Sequence, residues 1–225
     1  MVTKKVFWII WCLFLLYTLF FAPKTDQRSK STGVYVKQLM FGPWNDIDPY
    51  IISLFYFLGI WPLVYMSILL TDGQNQPFNG SLASCMAMVL GGFILLPYFA
   101  LRRSECGKKF RINYFVRLFE SKLIAIGLMI STIGLILFAV MFGNLHEFRQ
   151  EFDRNQFIHL MTIDFFVVSF LFPFLINDDL KRRDMDRDKQ FKHYFPLTFI
   201  PLLGPLIYLY QRQPLQQTNN SKIQN

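Results

Sequence analysis

The chain has 225 residues, of which 53% are hydrophobic and 18% aromatic, and its net charge is +8 at neutral pH. The hydrophobic share exceeds that of soluble proteins and is concentrated in long blocks, and all 23 Lys and Arg residues lie outside those blocks. We therefore attribute the positive charge to loops beside membrane spans, and nucleic-acid binding is excluded by the lack of any groove-reading motif.

The pattern predicts an all-α, polytopic transmembrane bundle of five or six spans. Each predicted span approaches the length that crosses a hydrocarbon core of ~30 Å. The segments are residues 6–22, 51–70, 82–101, 123–142, 157–176 and 195–210. The chain is thus a single membrane domain, and the polar tail 211–225 is expected to be disordered.

The first and last segments are the least regular. Residues 6–22 follow two lysines, as in a signal peptide, but Pro23 would come directly after the cut, so a retained span is favoured. Residues 195–210 contain three prolines and form either a short, broken span or a re-entrant element.

A basic segment precedes the fourth span. Between Arg103 and Lys122, apolar residues recur at helical spacing with basic residues between them: Phe110, Tyr114, Phe115, Leu118 and Phe119. This pattern predicts one amphipathic helix at the membrane interface, and a plain charged linker is the alternative.

Charge predicts the orientation. The loops 23–50, 102–122 and 177–194 carry 17 Lys and Arg residues, so in a six-span arrangement they share one side and face the cytoplasm, or the stroma of a plastid. Both termini are then expected on the other side.

Asp164 is the strongest single candidate for function. It lies inside the fifth apolar segment, where a charged carboxylate costs roughly 2.5–3.5 kcal/mol. A hydrogen bond to Ser131 or Thr132 is the structural interpretation. Proton or cation handling is the functional interpretation, and a partner contact within the membrane is a third.

A set of charged residues at the span ends is the second candidate. Its predicted members are Asp46, Asp48, Glu120, Asp178 and Asp179, with Arg102, Arg103, Lys181, Arg182 and Arg183 on the same side. An ion-pair network between loops is the simplest interpretation. Acidic pairs that bind Mg²⁺ and a phosphate ligand are the alternative, although the spacings typical of such enzymes are missing. Asp46 and Asp48 also fit a turn that caps the next helix.

No cofactor or metal site is predicted. The three cysteines, Cys12, Cys85 and Cys106, have no paired spacing. His146 and His159 flank the fourth loop, but their expected depths in the membrane match poorly for haem.

Residues 92–103 resemble residues 203–212, and each closes a two-span unit. The six-span arrangement gives these units opposite orientations, as in transporters with inverted repeats. One matched helix end is weak support, and chance similarity is the simpler explanation.

A series of motifs points to a family. In order they are PWNDIDP (43–49), LLPYFALRR (95–103), FES (119–121), DF (164–165), NDDLKRR (177–183) and PLLGPLIYL (201–209). This series, from about Pro43 to Pro214, resembles a family of integral membrane proteins of cyanobacteria and plastids. The resemblance implies a thylakoid or cyanobacterial plasma membrane and implies no reaction.

Three functions follow as hypotheses. The first is a non-enzymatic accessory protein, in contact with the bilayer and a larger membrane complex. The second is a small proton- or cation-coupled transporter that uses Asp164. The third is a membrane enzyme acting on lipid or pigment at the charged face.

Overall fold

The computed structural model describes residues 4–26, 29–72, 76–103, 114–183 and 187–215, and in these ranges the chain is helical and contains no strand. The twelve helices of the described ranges are α1 (Lys4–Phe20), α2 (Thr32–Phe41), α3 (Pro49–Leu69), α4 (Gly80–Leu90), α5 (Gly92–Leu101), α6 (Tyr114–Glu120), α7 (Lys122–Phe142), α8 (Leu145–Arg154), α9 (Gln156–Leu171), α10 (Pro173–Arg182), α11 (Arg187–Leu197) and α12 (Leu203–Gln211). The predicted all-α class is confirmed for this part of the chain.

Three of these helices are long and apolar enough to cross a membrane, as expected of an integral membrane protein. They are α3, α7 and a 27-residue helix that comprises α9 and α10. Side chains of Asp48, Ser121 and Asn155 accept backbone N–H groups at the starts of α3, α7 and α9. The predicted spans 51–70 and 123–142 therefore match continuous helices.

Residues 82–101, predicted as one span, form two antiparallel helices instead. α4 and α5 meet at Gly91, whose φ of +49° lies in the region that favours glycine. A Cβ added at Gly80 would lie 2.9 Å from Tyr98 Oη, so the start of α4 lies beside the end of α5. The prediction was wrong because hydropathy does not register a chain reversal at one glycine. We call this pair of helices hairpin 1.

α11 and α12 form a second helical hairpin, hairpin 2. The rings of Tyr194 and Tyr208, one on each helix, have centroids 5.1 Å apart. The chain reverses between the two helices, and Leu202 has a φ of +59° at this turn. Of the two alternatives for residues 195–210, this reversal corresponds to the re-entrant element.

Both hairpins begin and end at the same end of the bundle. We call it the ion-pair end and define it by Asp72, Arg102, Asp178, Asp179 and Arg212. The opposite end is defined by Asp48, whose Oδ2 accepts a hydrogen bond of 2.7 Å from Asn144 N. The five or six predicted spans are therefore not found in the described residues, because each hairpin returns to the end from which it started.

α1 runs from the ion-pair end to the opposite end. Phe7 packs on Phe99, near the end of α5, whereas Tyr17 Oη lies 2.6 Å from His159 Nε2, near the start of α9. Lys4 therefore lies at the ion-pair end, where α12 also ends. The sequence predicted both termini on the side away from most of the basic residues. In the structure, the start of α1 and the end of α12 lie at the ion-pair end, together with many of those residues.

The loop 23–50 lies at the opposite end, which corrects its predicted position beside the other basic loops. It contains α2, and Tyr35 of this helix donates a hydrogen bond of 2.9 Å to Glu151 of α8. Asp26 N also donates to Arg154 O at 2.9 Å. The prediction was wrong because it assumed that loops alternate sides after every apolar segment.

The interfacial helix predicted before the fourth span is described only over α6. Tyr114 and Phe115 are 76% and 63% exposed, whereas Val116 is buried. Phe110 and the tail beyond residue 215 lie outside the described residues.

The tip of hairpin 1 gives a first prediction. A Cβ added at Gly91 would lie 1.7 Å from Asp164 Oδ2, and the positive φ adds backbone strain. We expect Gly91→Ala to lower the free energy of unfolding by about 2 kcal/mol or more. Unfolding by denaturing detergent, followed by circular dichroism, measures the change.

Gly127→Ala is the matched control, because an added Cβ there meets nothing within 4 Å. Equal stability of the two variants would contradict the close approach of Gly91 and Asp164.

Candidate functional site

The ion-pair end contains two buried clusters of arginines and carboxylates. In the first, Arg102 contacts two acids, Asp72, which follows α3, and Asp178, which lies in α10. Its Nε lies 2.5 Å from Asp72 Oδ2 and its Nη1 lies 2.6 Å from Asp178 Oδ2. Arg182 pairs with the other Asp72 oxygen, and Tyr98 donates a hydrogen bond to the same carboxylate. This cluster joins the ends of α3, α5 and α10.

The second cluster is centred on Asp179, which is 0% exposed. Its Oδ2 accepts from Arg183 Nε at 2.9 Å, from Arg212 Nη1 at 3.3 Å and from Tyr208 Oη at 2.6 Å. Glu120 completes the cluster, with Oε1 at 2.8 Å from Arg183 Nη2 and at 2.6 Å from Arg212 Nη2. The ends of α6, α10 and α12 are thereby joined.

The two clusters have the same construction. Each hairpin's second helix carries a tyrosine and an arginine four residues apart, Tyr98 with Arg102 and Tyr208 with Arg212, and both members of each pair bind one aspartate. Four residues is about one helical turn, so both side chains lie on one face. These pairs lie in the two similar segments, residues 92–103 and 203–212. The six-span arrangement predicted opposite orientations for these segments, whereas in the structure both run towards the ion-pair end.

The charges of the first cluster stabilise one another. Burial alone would raise the pKa of Asp72, but the hydrogen bond from Arg102 and the positive charges of Arg182 and Arg102 outweigh burial and lower it to about 2. Burial alone would lower the pKa of Arg102, but Asp72 and Asp178 raise it above its usual range. Asp72 and Arg102 are therefore both charged at neutral pH.

This arrangement restricts what the charged residues can do chemically. The neighbouring acids Asp178 and Asp179 belong to different clusters, and each is bound by guanidinium groups. Within the described ranges, no group of three or more His, Cys, Asp or Glu side chains is placed to bind a metal ion. The acidic pair thus differs from a Mg²⁺ site, in which carboxylate oxygens face the ion.

Asp164 binds the tip of hairpin 1. Its Oδ1 accepts a hydrogen bond of 2.7 Å from Gly92 N, the first residue of α5. The carboxylate thus satisfies a backbone donor at a helix start. The predicted partners were wrong, because Ser131 and Thr132 donate to carbonyl groups of their own helix, one turn earlier.

Asp164 also borders a cavity of about 580 Å³ between α2, α3, α9 and the tip of hairpin 1. Its walls are mainly apolar and include Phe55, Leu58, Met88, Leu160 and Met161. Volumes of hundreds of Å³ and apolar walls with a few polar groups are typical of ligand sites.

The structure brings together five of the eight predicted site residues in the ion-pair clusters: Glu120, Asp178, Asp179, Arg182 and Arg183. Asp46 and Asp48 lie at the opposite end. Asp48 caps α3, and Asp46 forms an exposed pair with Lys30 at 3.9 Å. They were misplaced because the predicted sides depended on counting residues 82–101 as a crossing.

Four members of the clusters were missed as site residues: Asp72, Tyr98, Tyr208 and Arg212. Asp72 was assigned to a loop on the other side. The repeated tyrosine and arginine spacing was a usable signal, since it coincides with the internal similarity. The histidines have protein partners, with His159 contacting Tyr17 Oη and His146 contacting Gln150.

The geometry defines a helical protein of membrane type with a buried ion-pair end. The chain matches no protein-family model, no curated protein and no solved structure in comparisons with each.

The second cluster gives a stability prediction. Asp179→Ala leaves Arg183 and Arg212 buried with less compensating charge, so we expect a loss of about 3–5 kcal/mol in unfolding free energy. Detergent unfolding of the purified variant measures it. Asp46→Ala is the control, since the side chain of Asp46 is 77% exposed and its ion pair contributes little. A stable Asp179→Ala protein would contradict a structural role for this carboxylate.

The first cluster predicts a dependence of stability on pH. The pKa of Asp72 falls from an ordinary 3.8 to about 2 on folding. The ionised group therefore stabilises the fold fully above about pH 4, by about 2–3 kcal/mol, and this contribution disappears as the pH falls towards 2. We expect the difference in unfolding free energy between wild type and Asp72→Asn to shrink over that interval. A difference that does not change from pH 6 to pH 2 would refute the assignment.

Proposed function

We propose that this chain is a non-enzymatic integral membrane accessory protein that assists the assembly or the stability of a larger membrane complex. The observation that carries the proposal is the apolar surface of α7. In its most apolar stretch, 17% of the residues are buried inside the fold, compared with 61% for α3. A membrane helix with so little internal packing has a large surface for lateral contact.

The pattern on α7 supports a helical partner. Leu123, Ile130 and Leu137 are exposed and seven residues apart, so they form one stripe. Gly127 and Gly134 lie on the same helix, and an added Cβ at either meets nothing within 4 Å. Small residues beside an apolar stripe allow two membrane helices to approach closely.

The charged residues support a role without catalysis. Arginines of the same chain bind Asp178, Asp179 and Glu120, so the ion pairs hold the helix ends together. Asp48 caps the start of its own helix α3, and Asp164 of α9 accepts the N–H of Gly92 at the start of α5. These contacts give Asp178, Asp179, Glu120 and Asp48 roles in folding.

The membrane and the orientation are part of the proposal. The motif resemblance supports a thylakoid or cyanobacterial plasma membrane. We propose that α1, α3, α7 and the α9–α10 helix cross it and that both hairpins enter from the ion-pair end. Lys4, Arg102, Arg103 and Arg183 lie at that end, which supports a position in the cytoplasm or stroma.

The test is purification of a tagged chain from its own membranes in mild detergent, followed by native sizing and identification of the proteins that accompany it. We expect the subunits of one defined complex. Gly134→Leu should remove these partners without changing thermal stability, because the leucine fills the contact stripe of α7. Gly33→Leu is the matched control, since position 33 is equally open and lies on α2. A wild-type chain that runs alone would refute the proposal.

The position of Asp164 beside a cavity favours a second candidate, a small proton- or cation-coupled transporter. In this case Asp164→Asn abolishes transport in reconstituted vesicles while the protein stays folded. Asp46→Asn is the control. Normal transport in Asp164→Asn would exclude the carboxylate from the mechanism.

A further inference from the structure

The cavity beside Asp164 has one polar group at its inner end and apolar walls along its length. Gly91 and Asp164 border the inner end, and Gln156 borders the part near the opposite end of the bundle. Gln156 and Asp164 are eight residues apart on one helix, which corresponds to about 12 Å. The cavity therefore suits an elongated molecule rather than a compact one.

Asp164 has hydrogen-bonding capacity left for a ligand. Its Oδ1 accepts the Gly92 N–H, whereas its Oδ2 accepts no hydrogen bond from the described part of the chain. Gly91 lacks the Cβ that would overlap Oδ2. A carboxylate oxygen in apolar surroundings is costly unless it receives a donor.

The surroundings specify a neutral donor. The N–H of Gly92 and the start of α5 already place partial positive charge against the carboxylate. A cationic ligand would have to lose its hydration to enter apolar walls, which is expensive. A hydroxyl group supplies one O–H donor at much lower cost of desolvation.

The walls specify the rest of the molecule. Phe55, Leu58 and Leu160 present apolar surface, and Met88 and Met161 are flexible side chains that adapt to irregular shapes. We propose that this cavity binds a slender, lipid-soluble alcohol, such as an isoprenoid alcohol, whose hydroxyl donates a hydrogen bond to Asp164 Oδ2. The assignment goes beyond the accessory role and does not depend on it.

The test uses the full chain in lipid nanodiscs and two fluorescent probes, all-trans-retinol and retinyl acetate. The probes share one polyene chain, but the acetate lacks the O–H donor. We expect saturable binding of retinol, above the signal of empty nanodiscs, and an affinity roughly tenfold higher than for the acetate, as expected for a hydrogen bond to a carboxylate. Equal affinities, or no saturable binding of retinol, would overturn the proposal.

Two variants separate the hydroxyl contact from the cavity itself. Asp164→Asn keeps a carbonyl oxygen for Gly92 N and presents an NH₂ group to the ligand, so the preference for retinol over the acetate should disappear. Gly59→Phe should weaken both probes at least tenfold, because Gly59 lines the cavity and an added Cβ there meets no neighbour within 4 Å.

Gly33→Phe is the matched control for added bulk, since position 33 is equally open and is not among the residues that line the cavity. Unchanged retinol binding in Gly59→Phe would overturn the placement of the ligand. This variant decides the question even if Asp164→Asn fails to fold.

Discussion

The pairing of buried arginines with carboxylates at the ion-pair end is the interaction on which the rest of the structure depends. Removing charges from water is expensive unless each charge has a partner in good geometry. Here Arg102 contacts the acids that follow α3 and lie in α10, and Arg183 and Arg212 share Asp179 and Glu120. Since these residues come from five helix ends, satisfying the charges also determines which helices meet. Both hairpins return to this end because Arg102 and Arg212, which follow their second helices, pair with carboxylates there.

Asp164, deeper in the bundle, is also a buried carboxylate that needs partners, but the described part of the chain supplies a partner to only one of its oxygens. At the ion-pair end, the protein itself supplies the partners of the acids. At Asp164, one backbone N–H from Gly92 binds one oxygen, and the other oxygen borders a cavity. The ion pairs thus explain stability, whereas Asp164 combines a structural contact with capacity for a ligand. The accessory proposal and the ligand-binding proposal are therefore compatible, because they concern different parts of the same fold.

Much of the fold was predictable from the sequence, and its topology was not. Length and hydropathy located the continuous helices α3 and α7 to within a few residues, because a helix needs about 20 apolar residues to cross a bilayer. The same criterion failed for residues 82–101, where Gly91 reverses the chain. This error moved Asp72 and the loop 23–50 to the wrong ends. The same error gave the two similar segments, residues 92–103 and 203–212, opposite orientations, whereas both run towards the ion-pair end.

The sequence by itself determined the helical class and the apolar segments. It also identified charged residues whose burial costs free energy, including Asp164, Asp178 and Asp179. These follow from local composition, since hydropathy and charge are properties of each residue and its neighbours. Only the tertiary structure decided which charges pair, because Arg102 and Asp72 are 30 residues apart and Arg212 and Glu120 are 92 apart. Such partners are chosen by the packing of helices after the chain reverses, and no spacing along the chain encodes that choice.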